Sequence, residues 1–335
     1  MRAFENIFEE DKMKRITVFA LVVLMAVSVF GCSIKTADKQ DGKTTQAPTD
    51  NPAASNEPQA QTDKPVETET VSSDEPVEES NEPSDAPTGE ATIEETVVYD
   101  DNGLKITAKS LDMDGLFGPE IKFLIENESG KALTVQSRNV SVNDYMVDTI
   151  MSADIADGKK SNEDLTITSS SLKNSGITQI ADIELSFHIF ESNDWLKSYD
   201  SDMIKISTSI AGEYEYSFNE EGTVLFDKNN IKIVSKGVNE DAFLGKEILL
   251  YIANNTDENI TVQVRDVSIN GFMMDAIFSC ELNPGKHAVD GITFLDSELE
   301  ENSIETIENV ELSFHVFNSD NYDGIVDGQP ITIEF

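Results

Sequence analysis

Residues 138–159 read RNVSVNDYMVDTIMSADIADGK and residues 265–286 read RDVSINGFMMDAIFSCELNPGK, with 10 of 22 paired positions identical. The offset of 127 residues holds without a gap from Asp100/Asp227, through Asn127/Asn254 and Phe187-His188/Phe314-His315, to Ile204/Ile331. A period this long indicates two whole domains in tandem, because solenoid units repeat at roughly 20–50 residues. Whatever one copy folds into, the other folds into as well, and each must close its own core. The copies are assigned to residues 94–211 and 212–335, with GEYEYSFNEEG (212–222) as the hinge or short linker.

Each copy reads as all-β. EIKFLIEN places Ile121, Phe123 and Ile125 on one face, and EILLYIAN does the same with Ile248, Leu250 and Ile252. IELSFHIF alternates Ile183, Leu185, Phe187 and Ile189 with polar residues. Alternation of period two marks strands with one buried face. Seven to nine short strands in about 110 residues is the texture of an immunoglobulin-like antiparallel sandwich. One short helix per copy is expected, at SSSLKNSGI and DSELEENSI, with Ser or Asp capping its start and Gly176 ending the first. Asn270-Gly271 suits a tight type I′ hairpin turn, as does Asn143-Asp144. Just before these turns the apolar parity switches, at Arg265-Asp266 and at Arg138-Asn139. A β-bulge at each place keeps both halves of the strand facing a core.

The amino-terminal 93 residues are of another kind. MKRITVFALVVLMAVSVFGC starts at Met13 with Lys14 and Arg15, followed by an apolar run from Ile16 to Phe30. A short basic region before an apolar stretch of this length is a secretory signal, assigned to residues 1–31. The acidic residues before the basic pair place the translation start at Met13. From 32 to 93 the chain is rich in Pro, Thr, Ser and Glu. Between Thr44 and Glu95 fourteen acids face the single Lys64, so too little apolar surface is present to offset ordering, and a disordered acidic stalk is expected.

The end of the signal, VFGC with Val29, Gly31 and Cys32, resembles the lipobox of bacterial lipoproteins. The resemblance implies cleavage before Cys32 and lipid attachment to its thiol, hence an anchor on the extracytoplasmic face of the cell membrane. The region VQVRDVSINGFMMD (262–275) is similar to repeats of Gram-positive-type surface lipoproteins with no assigned activity. That likeness implies fold and location, and no ligand.

A formal net charge of -40 argues against nucleic acid as a partner. With two cysteines, Cys32 and Cys280, no disulfide framework or zinc site is read from the sequence. Repetition singles out three pairs: Arg138/Arg265, Asp148/Asp275 and His188/His315. An arginine at a bulge can anchor a carboxylate or phosphate, but more often ties down backbone and pairs with an acid. The aspartates can meet those arginines or support the turn. Ser186-x-His188 and Ser313-x-His315 lie on one strand face at about 6.5–7 Å spacing, too far for direct proton transfer. DMDG (112–115) and DNYDG (320–324) resemble fragments of calcium (Ca2+) loops but lack the distant Glu, so acidic turns are expected there in preference to calcium sites. The expected function is non-catalytic, with no cofactor: two binding or envelope-structural modules directed at an envelope or surface protein or glycan. A cell-wall hydrolase and a calcium-stabilised adhesin are the alternatives.

Overall fold

The computed structural model describes residues 91–335. The signal segment, Met13, Cys32 and the stalk up to residue 90 lie outside the described residues.

Copy one comprises β1 (Thr96–Asp101), β2 (Leu104–Asp112), β3 (Glu120–Asn127), β4 (Leu133–Val142), β5 (Tyr145–Met146), β6 (Thr149–Ile150), β7 (Ser152–Ile155), β8 (Lys159–Ile167), α1 (Ser169–Asn174), β9 (Asp182–Glu191), β10 (Asp194–Asp200) and β11 (Ile204–Ser207). Copy two comprises β12 (Thr223–Lys228), β13 (Ile231–Asn239), β14 (Gly245–Asn254), β15 (Ile260–Ile269), β16 (Phe272–Met273), β17 (Ser279–Leu282), β18 (His287–Leu295), α2 (Asp296–Glu301), β19 (Asn309–Asn318), β20 (Gly324–Asp327) and β21 (Ile331–Glu334). The copies share one topology. In the first, β1-β2-β3-β8-β6 forms one sheet and β10-β9-β4-β5 the other, with β11 on β9 and β7 on β4. In the second, β12-β13-β14-β18 faces β16-β15-β19-β20, with β21 on β19 and β17 on β15. Within each copy every strand pair is antiparallel. These are immunoglobulin-like sandwiches, with more strands than the expected seven to nine. YMVDTIMSA supplies three short strands, β5, β6 and β7, and β10 adds another.

The alternating residues meet between the sheets. Phe123 on β3 and Phe187 on β9 pack edge to face, with centroids 5.6 Å apart and planes at 82°, tying the two layers together by an arrangement worth about 0.5–1.5 kcal/mol beyond burial. The matching positions, Leu250 and Phe314, are buried in the second core.

Both expected bulges are present. Register against the neighbouring strand slips between Arg138 and Ser141, and between Arg265 and Ser268. Asn139 and Asp266 take up the slack at φ 53° and 52°. The turns also match: Asn143-Asp144 have φ 50° and 66°, and Asn270-Gly271 have 50° and 85°, as a type I′ turn requires. Asparagine has a second task here. Asn143 Oδ1 accepts from the N–H groups of Ala181 and Asp182 at 2.8 and 3.1 Å, while its amide donates to the Gln179 carbonyl at 2.7 Å. Asn270 repeats the pattern with Glu308, Asn309 and Thr306. Each hairpin is thereby stapled to the loop after the helix.

The helix caps differ from expectation. Thr168 caps α1 by accepting from the Ser171 N–H, and α2 has no side-chain cap but carries Asp296 and Glu298 in its first turn, where acids favour the positive helix end. Gly176, at φ 67°, ends α1 as expected. Among the described residues no helix is long and apolar enough to cross a membrane.

The two sandwiches are joined through backbone. Tyr145 on β5 pairs in parallel with His287 at the start of β18, merging strands of both copies into one 10-stranded sheet. The segment expected to be a hinge is a strap. Tyr216 hydrogen-bonds Asp182, Phe218 stacks on His287 at 3.6 Å, and the Asn219 N–H donates to Tyr145 Oη at 3.3 Å. Lys286, whose side chain is 11% exposed, reaches back to Asp144 at 2.6 Å and Glu184 at 2.7 Å. Burial lowers its pKa, but those two carboxylates outweigh burial and leave it raised.

Candidate functional site

Where β4 and β5 of the first copy face β17 and β18 of the second, a cavity of about 270 Å³ opens. Arg138 and Asp148 enter it from the first copy, and Cys280 and Asp290 from the second. The bulge decides which way Arg138 points: one extra residue before Val140 turns the arginine out while Val135, Val140 and Val142 stay buried.

Asp290 is the perturbed group. The Gly291 N–H donates to its Oδ1 at 2.8 Å. Desolvation of the carboxyl, followed by the nearby Asp148, pushes its pKa up to about 7, against the bonds from Gly291 and Cys280. Burial, then the charges of Asp290 and Asp148, drives the Cys280 thiol well above its usual range, so Cys280 is a poor nucleophile. Asp148 is held in place by Ser171 on α1, whose hydroxyl donates to Oδ2 at 2.9 Å. The cleft therefore joins one guanidinium to the carboxyl groups of Asp148 and Asp290, a setting suited to a small polar or cationic group.

Arg138 also belongs to a cluster that the fold builds twice. Its Nη1 lies 3.7 Å from Asp200 Oδ2, and Asp200 Oδ1 lies 2.5 Å from His188 Nδ1. In the second copy Arg265 lies 3.5 Å from Asp327, which lies 2.6 Å from His315. The rings pack beside Phe190 and Phe317, with centroids 5.5 and 5.3 Å away. Asp200 and Asp327 were missed from the sequence, although they stand one period apart, because β10 carries little alternation. The serines turn elsewhere. Ser186 and Ser313 donate to the carbonyls of Arg138 and Arg265 at 3.4 and 3.3 Å, so the Ser-His couple does not form. Asp275 mirrors Asp148 through its backbone only: the Asp148 N–H donates to Ser171 Oγ at 3.1 Å and the Asp275 N–H to Glu298 Oε1 at 2.9 Å one period on, but Glu298 has no hydroxyl to donate to the Asp275 carboxylate.

No protein-family model matches the chain, and no curated protein matches it. Solved structures do. The crystal structure of the YadV chaperone is similar at 13% identity over 64% of this chain and 92% of its own, with a TM-score of 0.21. The Salmonella enterica SafA pilin in complex with the SafB chaperone follows at 9% identity, 64% and 89% coverage, and a TM-score of 0.19. A protein of unknown function from Porphyromonas gingivalis W83 matches at 10% identity, 70% and 100% coverage, and a TM-score of 0.18. Scores this low carry no argument about function.

The acidic turns serve themselves. Asp112 accepts from the Asp114 N–H at 3.1 Å, and Asp320 accepts from Asn259 at 3.3 and 3.2 Å. Among the described residues no group of three His, Cys, Asp or Glu side chains is placed to hold a metal ion.

The loop between β2 and β3 exposes Leu116 and Phe117, and the loop between β13 and β14 exposes Phe243 and Leu244. These positions are one period apart, and none of the four belongs to either core. Sequence patterning did not find them, because loops carry no alternation to break.

Proposed function

We propose that the chain is a lipid-anchored, extracytoplasmic protein displaying two non-catalytic immunoglobulin-like modules that bind an envelope or surface protein or glycan. The lipobox at Val29–Cys32 supports the anchor, and the acidic Pro-rich stretch supports a spacer. The observation that carries the binding reading is the apolar pair kept exposed at the same loop of both copies, Leu116-Phe117 and Phe243-Leu244. A fold with no use for such side chains in its core loses solubility by exposing them, and exposed apolar groups mark contact surfaces. Two equivalent tips on one chain also permit avidity, which multiplies affinity by roughly 10²–10⁴ when both engage.

The test is binding of the full chain to isolated envelopes, comparing wild type with L116D/F117D, F243D/L244D and all four substitutions together. Each pair of substitutions should weaken binding, and the four together should abolish it. Unchanged binding in the fourfold variant, or none in the wild type, rejects the reading. Incorporation of a fatty-acid probe that disappears in Cys32→Ala tests the anchor separately. The repeated His-Asp pairs favour one rival, a wall-polymer hydrolase. Turnover of wall polymer that vanishes in H188A or H315A would establish that rival instead.

A further inference from the structure

The joint inside the chain leaves a second set of its own parts unused. In the joint, the His287 N–H donates to the Asp144 carbonyl at 2.9 Å, Tyr145 lies beside His287, and Lys286 bonds Glu184 at 2.7 Å. One period on, the hairpin tip is Phe272-Met273 and the acid is Glu311. All three are exposed; Phe272 is 48% and Met273 68% exposed, where Tyr145 is 4%. One period back, the lysine is Lys159 and the His287 position is Lys160, both exposed at the start of β8, with the Lys160 ammonium paired to Glu126 on β3. That strand is paired to β3 along its length, while on its other side β6 reaches only Thr166 and Ile167. Among the described residues, 159–165 are thus an open sheet edge, a ready template for another chain.

We propose that the β15–β16 hairpin of one copy docks on the open β8 edge of a second copy of this chain, repeating the internal joint head to tail. Glu311 meets Lys159 as Glu184 meets Lys286. Phe272 lies over Lys160 as Tyr145 lies beside His287, an aromatic ring against a cation. The Gly271 carbonyl accepts from the Lys160 N–H. A second copy fits better than a foreign partner because donor and acceptor are both present on one chain, in the register and with the charges of an interface already formed. Two elements are missing: Gly271 replaces the second acid, Asp144, and no strap accompanies the contact. Contact between copies is therefore weaker than contact within one. It is also heterologous, and so extends from copy to copy. The inference is independent of any ligand at the loop tips.

Zero-length carbodiimide coupling tests it, because only an amine and a carboxylate already in contact become joined. Unlabelled and ¹⁵N-labelled full chains are mixed equally, coupled, digested and analysed by mass spectrometry. The Lys286–Glu184 bond within one chain is the positive control. The expected result is a Lys159–Glu311 bond in mixed-isotope pairs, lost in K159E and restored with reversed polarity in K159E/E311K. Formation of the control bond without mixed Lys159–Glu311 pairs overturns the proposal. Mixed pairs that persist in K159E through other residues, or that link hairpin to hairpin, overturn it as well.

Discussion

Asp290→Asn should stabilise the protein, and only above mildly acidic pH. In the folded chain the Asp290 carboxyl is pushed up to about 7 from its ordinary 3.8. Four groups set that value besides burial. Asp148 comes from across the repeat boundary, Glu247 from β14, the Cys280 thiol from β17, and the Gly291 N–H from its own strand. A rise of about three units, at ~1.36 kcal/mol each, puts an upper bound of about 4 kcal/mol on the cost of charging this group in the native state. Asp290 is half-buried, so water at the mouth of the cleft softens the cost to about 2–3 kcal/mol. The folded state holds the proton more tightly than the unfolded chain does. Stability is therefore full below about pH 4, falls as pH rises, and reaches its plateau near pH 7. Asparagine keeps the acceptor for Gly291 and removes the charge. Urea unfolding of wild type and D290N at steps from pH 5 to pH 8 isolates this group, since all other titrations are shared. The gain should grow with pH and level off above about pH 7. A D290N variant no more stable than wild type at pH 8, or a gain that shrinks as pH rises, refutes the argument.

Lys286→Met leaves Asp144 without its cation and Glu184 with only Lys205, 3.8 Å away. Because both carboxylates keep partial access to water, the loss should be about 1.5–3 kcal/mol by chemical denaturation, and a cycle with Glu184→Gln should show coupling. Asn127→Ala removes buried bonds to the Lys131 and Ile155 carbonyls at 2.7 and 2.8 Å. It should cost about 2–4 kcal/mol by the same measurement, as each orphaned buried group costs roughly 1–3 kcal/mol. Gly245 sits at φ 155° with a Cβ position 2.0 Å from the Phe294 carbonyl oxygen, and Gly118 repeats this against Ile167. Ala at either glycine should lower the thermal midpoint by several degrees, an effect of about 1–3 kcal/mol, whereas Ala at Gly130, where the space is open, should cost less.

What the sequence made legible follows from where the physics is local. Alternation along EIKFLIEN and IELSFHIF is a direct record of which side chains face a core, so both sandwiches were readable. The parity switch located the bulges because one inserted residue reverses every later side chain. The joint was not readable. It depends on one parallel pair, Tyr145 with His287, and on the strap, and neither leaves a period in the sequence. GEYEYSFNEEG falls at the boundary between the copies and was read as a linker; Tyr214, Tyr216 and Phe218 alternate along it, yet they form no strand and Phe218 stacks on His287. The site residues divided in the same way. Repetition pointed to Arg138, His188 and their copies, but their shared partners Asp200 and Asp327 lie on strands whose outward residues conceal their register. Cys280 is buried, and the carboxyl beside it could not be seen in one dimension.

Duplication makes symmetry the starting point, so the positions where the copies differ say more than those where they agree. Along the joint the first copy has Leu124, Glu126, Lys160 and Glu163, and the second has Tyr251, Ala253, His287 and Asp290. Each change suits a face that became interior. Ala253, 1% exposed, stands where the first copy has a charge, and Tyr251 and His287 place rings where it has Leu124 and Lys160, with Tyr251 Oη 2.7 Å from His287 Nδ1. Burial lowers the His287 pKa, against the pull of Asp144 and Glu220, as expected of a ring that serves as a packing surface. Asp290 alone runs against this trend: a shorter acid retained where desolvation penalises its charge. A residue kept at a cost to the fold, in a cleft shared by both copies, is where a role beyond stability should be sought. The loop tips follow the opposite logic, because they remained apolar and exposed in both copies while the joint diverged. The positions that differ join two domains into one unit, and the features held in common are those that unit presents twice.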